Sequence, residues 1–154
     1  MISKADIKRV RALGSKKQRE LSGLFVVEGE KMVAEALVSG FEVEEVYRID
    51  DIGEEAMGRI SQLSSPSPAL AVVRMPDPPS SDEIDALTAS RPLCLALDSV
   101  RDPGNLGTIV RIADWFGIDA VFASRDTVEL YNPKTVQATM GAVFRRKVIY
   151  CDLA

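Results

Sequence analysis

Asn105, Gly107 and Arg111 follow a short polar loop, and the chain's single tryptophan, Trp115, stands four residues beyond the arginine. At 100° per residue, Gly107, Arg111 and Trp115 fall on one side of a helix. Leu106, Ile109, Val110 and Ala113 fall on the other, with Phe116 at their edge. A glycine, an arginine and the only tryptophan facing away from the core suggest contact with something else. The plainer reading is a surface arginine stacked on Trp115 as an i, i+4 cation–π pair. The chain has no histidine, which removes the commonest general base and metal ligand. Ser-His-Asp and Cys-His hydrolases and the usual zinc-hydrolase sites are excluded with it. Cys94 and Cys151 form no pattern, which suits reduced thiols in a cytosolic protein and not a disulfide framework or metal site.

The elements that must position these residues lie between Leu93 and Ala123. Leu93–Leu97 is a short apolar run that suits a buried strand. Asp98–Gly104 reads as a loop. Asn105 is expected to cap the next helix and Gly117 to end it. Ala120–Ala123 is a second apolar run, and the whole makes a βαβ unit with parallel strands. A nucleotide-binding turn is one alternative, because Gly104 and Gly107 open a helix after a strand and Arg125 follows the second strand. The pattern is G-x-x-G, however, and the G-x-G-x-x-G fingerprint of a Rossmann-type oxidoreductase fails.

The stretch D-P-G-N-L-G-T-I-V-R-I-A-D-W-F-G, residues 102–117, resembles the N-x-G-x-x-x-R motif of the SpoU/TrmH family of RNA ribose 2′-O-methyltransferases, matched by Asn105, Gly107 and Arg111. Asn132–Ala142, N-P-K-T-V-Q-A-T-M-G-A, resembles the family segment that runs into S-x-G-A, with Thr139 in the place of the usual serine. Phe25–Leu37, F-V-V-E-G-E-K-M-V-A-E-A-L, resembles the start of the family's substrate-binding domain. The resemblance implies an α/β fold: a small N-terminal substrate-binding domain over residues 1–75, a linker over 76–90 and, over 91–154, the first part of a parallel-sheet SPOUT domain. It implies S-adenosylmethionine as cofactor, structured RNA (rRNA or tRNA) as partner, a homodimer for the full-length protein, and a cytoplasmic, membrane-free setting. Arg111 and Asn105 are the expected catalytic pair. A guanidinium holds its proton too tightly to be a good base, so Arg111 is expected to polarise the 2′-hydroxyl and clamp a phosphate. Family segments of the trefoil knot that bind the cofactor, G-N-E-like and S-L-N-V-S-like, have no match here. The chain is therefore expected to stop before the knot, with its cofactor-binding residues unknown. A non-catalytic RNA-binding module is the remaining alternative.

Composition agrees with a globular chain of one or two small domains: 154 residues, 46% hydrophobic and 27% charged. No run is long and apolar enough to span a membrane. The net charge of −4 does not advertise a nucleic-acid binder, but its distribution is uneven. Residues 1–19 hold Lys4, Lys8, Arg9, Arg11, Lys16, Lys17 and Arg19 against Asp6 alone, and residues 42–55 are acidic. Lys16, Lys17 and Arg19 are expected phosphate contacts, with Gly107 and Arg145 as further RNA contacts; a solvated basic helix is the plainer alternative. Ser3 is expected to cap a helix over Lys4–Leu13, followed by a strand at Leu24–Val27, a helix at Gly29–Val38 with Met32, Val33, Ala36 and Leu37 inward, a strand at Val43–Tyr47 whose valines do not alternate cleanly, a weak helix at Glu54–Leu63 and a strand at Ala69–Arg74. Pro76, Pro78 and Pro79 mark a stiff linker. Pro133 should open a helix that Gly141 ends, and Arg146–Cys151 should be the last strand.

Overall fold

The computed structural model describes residues 1–90 and 92–154; Arg91, the first residue of the expected second domain, lies outside them. The chain divides into two compact units. One comprises Met1–Met75 with Tyr131–Pro133, the other Pro76–Leu130 with Lys134–Ala154.

The first unit runs α1 (Lys4–Ala12), α2 (Lys16–Ser22), β1 (Leu24–Glu28), α3 (Glu30–Val38), β2 (Val43–Arg48), α4 (Ile49–Ile52), α5 (Glu54–Ile60) and β3 (Ala69–Arg74). Ser3 caps α1, its Oγ accepting from the Asp6 backbone N–H at 3.0 Å, as the Ser-x-x-Asp spacing predicts. The sheet is antiparallel in the order β1-β3-β2. Leu24, Val26, Leu70 and Val72 meet Ile7, Val10, Leu13, Met57 and Ile60 from the α1 and α5 side. The alternate residues Phe25, Val27, Ala71 and Val73 are buried on the opposite face, where α3 packs on β1 and β3. Cover on both faces explains why β1 and β3 read as continuous apolar runs although their pairing is antiparallel. A register shift between Val43 and Glu45 accounts for the broken alternation of β2. Leu37 corrects the expected face of α3: it is 53% exposed, while Met32, Val33 and Ala36 are buried.

The second unit runs α6 (Ser81–Ala89), β4 (Cys94–Leu97), α7 (Pro103–Trp115), β5 (Ala120–Ser124), α8 (Pro133–Thr139), a 3-10 turn (Ala142–Phe144) and β6 (Val148–Cys151). Its sheet is parallel, in the order β4-β5-β6, with β5 central. The expected 76–90 linker is an extended strand of chain only in part. Ser80 and Glu83 form a reciprocal capping box that starts α6, at 3.2 Å from the Glu83 N–H to Ser80 Oγ and 2.7 Å from the Ser80 N–H to Glu83 Oε2. β4 is half-buried, not buried, because it is an edge strand, and Leu93 before it is exposed. On the core side, Ala113, Ile118 and Val121 pack with Leu95, Leu97 and Val148. Cys94 and Cys151 are free thiols. Among the described residues no helix is long and apolar enough to cross a membrane.

Candidate functional site

Helix α7 begins three residues earlier than the sequence suggests. Its cap is Asp102, whose Oδ2 accepts from the Asn105 N–H at 2.8 Å, and Pro103 takes the first helical position. An aspartate followed by proline combines a strong cap with a residue preset for the first turn, and this pair outcompetes Asn105. Asn105 is thereby relieved of the capping role and is exposed within the first turn. Arg111 is exposed two turns on. Among the described residues, neither the Asn105 side chain nor the Arg111 guanidinium has a hydrogen-bond or ion-pair partner. They lie on one exposed arc with Thr108, Ile112 and Trp115, while Leu106, Val110 and Ala113 are buried beneath. Phe116, expected at the core edge, is 71% exposed as the last turn ends at Gly117, whose φ is 65°.

Gly107 corrects the expectation of an RNA contact. It is buried, and a Cβ there would stand 2.5 Å from Ala138 Cβ and 2.6 Å from the Thr135 carbonyl oxygen. Its hydrogen is what lets α7 and α8 approach. At the end of α8, Thr139 donates its hydroxyl to the Val136 carbonyl at 2.7 Å and is fully buried. Met140 and Gly141 follow at φ 48° and 98°. Gly141 accepts that conformation without strain, whereas Met140 departs from ordinary backbone for a non-glycine residue.

The loop before α7 is held by groups that sequence spacing did not single out. Ser99, itself at φ 54°, donates its hydroxyl to Asp126 Oδ2 at 2.7 Å, and Ser124 donates to Asp126 Oδ1 at 2.7 Å. Arg101 reaches the same carboxylate at 3.1 Å. The Ser99 N–H bonds Ser124 Oγ at 2.8 Å, and the Val100 N–H bonds Thr127 Oγ1 at 3.3 Å. These donors, the Ser124 and Ser99 hydroxyls ahead of the Arg101 guanidinium, hold the Asp126 carboxyl well below the ordinary carboxylate range. The carboxyl ends of β4 and β5 are thus tied to each other, and with them the start of α7. The Asp-Pro pair was a usable signal for Asp102; nothing in the local pattern marks Asp126.

Arg145 is exposed, and its Nε donates to Asp114 Oδ2 at 2.8 Å; Arg146 Nε stands 3.3 Å from the other oxygen of that carboxylate. Two arginines gather around one acid on the flank of α7. A groove of about 310 Å³ lies between α6 and the amino ends of β5 and β6, lined by Glu83, Leu87, Asp119, Arg145, Arg146 and Ile149. It opens at the other end of the strands from Asn105.

The basic head of the first unit splits by residue type. Arg9 pairs with Glu45, and Arg11 donates to the Ser61 carbonyl. Arg19 corrects a second expectation of RNA contact: it is 1% exposed and bonds the Leu13 carbonyl at 2.9 Å. Burial pushes its ionisation down, with Glu20 opposing. Lys4, Lys8, Lys16 and Lys17 remain exposed, Lys16 in a loose 3.7 Å pair with Glu20.

Residues 92–153 match the model of the SpoU rRNA Methylase family, and residues 4–71 match the MRM3-like substrate binding domain. The chain is 32% identical to the 23S rRNA (guanosine(2553)-2′-O)-methyltransferase RlmP of Bacillus subtilis over 96% of its own length and 62% of the relative's. A TrmH-family RNA methyltransferase structure from Porphyromonas gingivalis superposes with a TM-score of 0.83 at 32% identity, covering 99% of this chain and 64% of that one. An AdoMet-bound rRNA methyltransferase from Sinorhizobium meliloti superposes with a TM-score of 0.79 at 27% identity, covering 97% and 62%. The chain therefore spans somewhat under two thirds of these proteins. With its two units matched in order by the substrate-binding and methylase models, the chain belongs to the SpoU/TrmH family of RNA methylases.

Proposed function

We propose that this chain carries the RNA-positioning part of an S-adenosylmethionine-dependent ribose 2′-O-methyltransferase. Its substrate is structured RNA, ribosomal RNA before tRNA, and it acts in the cytoplasm as a homodimer. The observation that carries the reading is the pair of exposed, unpartnered side chains on α7, Asn105 and Arg111, on a helix whose start is fixed by Asp102 and the Asp126 network. Exposed polar side chains are ordinarily solvated, so what singles this pair out is its place in the N-x-G-x-x-x-R stretch of a chain that matches the SpoU rRNA Methylase model.

S-adenosylmethionine supplies a methyl group already activated by its sulfonium charge. The residues present do not assemble a holding set for it: the carboxyl ends of β4 and β5, where a ligand of an open parallel sheet would sit, are occupied by the contacts of Asp126 with Ser99, Arg101 and Ser124. The work assigned to this chain is therefore on the RNA. Arg111 pairs with a phosphate next to the target ribose and donates to the 2′-oxygen, polarising the hydroxyl. Asn105 accepts from or donates to the same hydroxyl and fixes its direction. Lys16 and Lys17 hold other phosphates of the RNA and raise the encounter rate without reading sequence.

The test is transfer of labelled methyl groups to ribosomal RNA by the protein. Arg111→Ala should lower kcat by about a hundredfold or more and leave the thermal midpoint in place, since an exposed side chain opens no cavity. Activity within about tenfold, some 1.4 kcal/mol, would reduce Arg111 to a surface residue. A second reading, an RNA-binding module without transfer, draws on the missing cofactor set; it predicts RNA binding with no methyl incorporation. An oxidoreductase is disfavoured by Asp102, which puts a carboxylate where a dinucleotide's pyrophosphate would meet the helix start.

A further inference from the structure

Trp115 is 84% exposed, an unusual position for the largest apolar side chain of the molecule. Among the described residues, the stacking with Arg111 that their i, i+4 spacing suggests is not formed. Indole and guanidinium therefore stand one turn apart on the exposed arc of α7, each available to a ligand. The next residue back, Asp114, does not make this flank acidic, because Arg145 and Arg146 hold its carboxylate. An uncovered aromatic plane one turn from Arg111, on a flank that also carries Arg145 and Arg146, is a combination that binds unpaired nucleotides: the ring stacks on a base and the cations follow the phosphates. Ile112 and Phe116 beside Trp115 are 47% and 71% exposed, so an apolar surface of a second copy is the competing occupant, and the concentration dependence tested below separates the two.

We propose that Trp115 is a base-stacking platform for an unpaired nucleotide of the RNA, next to the ribose addressed by Arg111. This rests on the RNA-methylation reading and adds a requirement to it: the RNA is presented at α7 as a single strand, loop or unstacked base, since a base inside a duplex has no free face to offer. The substrate class is structured RNA with an unpaired target region. Trp115 acts as a binding residue and takes no part in the chemistry.

Because Trp115 is the only tryptophan, its emission reports this position alone. The probe is a mixed-sequence oligoribonucleotide of about twelve nucleotides, within the range single-strand sites span, fluorescein-labelled and used alone or annealed to its complement. The wild-type chain should show saturable quenching of Trp115 with the single strand and much less with the duplex. Label anisotropy should show Trp115→Ala weakening single-strand binding roughly tenfold and Trp115→Phe recovering most of the loss. Circular dichroism and thermal midpoint should be unchanged in both variants. If the wild type binds the oligonucleotide but Trp115 emission does not respond, or Trp115→Ala binds within about twofold, the platform is overturned while the RNA reading stands. If Trp115 emission changes with protein concentration and RNA has no effect on it, the indole belongs to an interface between copies and the proposal is overturned. If no RNA of either form binds, the RNA reading falls and the platform with it.

Discussion

At the scale of single residues, charge type does not decide role; environment does. Arg19 and Lys17 stand two positions apart in one basic run, yet Arg19 is enclosed and bonded to the Leu13 carbonyl while Lys17 is in solvent. Arg19→Ala removes a large buried side chain and its hydrogen bond, and should cost about 2–4 kcal/mol in urea unfolding. Lys17→Ala should stay within about 0.5 kcal/mol but reduce the salt slope of RNA binding by about one unit. Equal stability of the two variants would return Arg19 to the surface. The same contrast separates Gly107 from Arg111, which share a helical side by spacing but not by burial, because α8 covers one and leaves the other.

At the scale of elements, the site depends on how closely α7 meets α8 and on how its leading loop is tied down. Gly107→Ala places a methyl group inside the contact with Ala138 and Thr135, both helix backbone and side chain, and should cost about 1–3 kcal/mol with a lower thermal midpoint. An unchanged midpoint would mean that the two helices separate freely. The loop tie is acid-sensitive. The Asp126 carboxyl is held below its unfolded value of about 3.9 by hydroxyls of Ser124 and Ser99 and by Arg101. A depressed folded value means that the ionised form is the one stabilised. Its contribution is therefore complete above about pH 4 and is lost as the pH falls below that value toward the lower folded one. Asp126→Asn should lower the thermal midpoint at neutral pH and flatten its fall in this acid window relative to wild type. Parallel pH profiles for the two proteins would show that the carboxylate does not secure the loop.

At the scale of the whole molecule, two sheets of different kinds are strung on one chain, and Met75–Ser80 between β3 and α6 has neither helix nor strand and is largely exposed. Brief digestion with a protease of broad specificity should cut first there, giving an N-terminal fragment of about 75 residues by mass spectrometry; a first cut inside either sheet would count against two separately compact units. The element order, the parallel βαβ unit and the exposed Arg111 were legible in the sequence because they rest on local signals. Apolar runs, proline and glycine punctuation and a 3.6-residue period act within a few residues of one another. What these signals could not determine were relations across long separations. Asp102 displaced Asn105 as cap by a local competition that the Asp-Pro pair encoded, and that much could be read. The burial of Arg19 and the edge position of β4 were settled by which elements come to lie over them. Gly107 is enclosed by residues some thirty positions away, and Asp126 meets Ser99 from 27 positions away. The linear pattern fixes which face of a helix is apolar; only the packed molecule decides which polar residues that face's neighbours cover, and so which side chains are left for RNA.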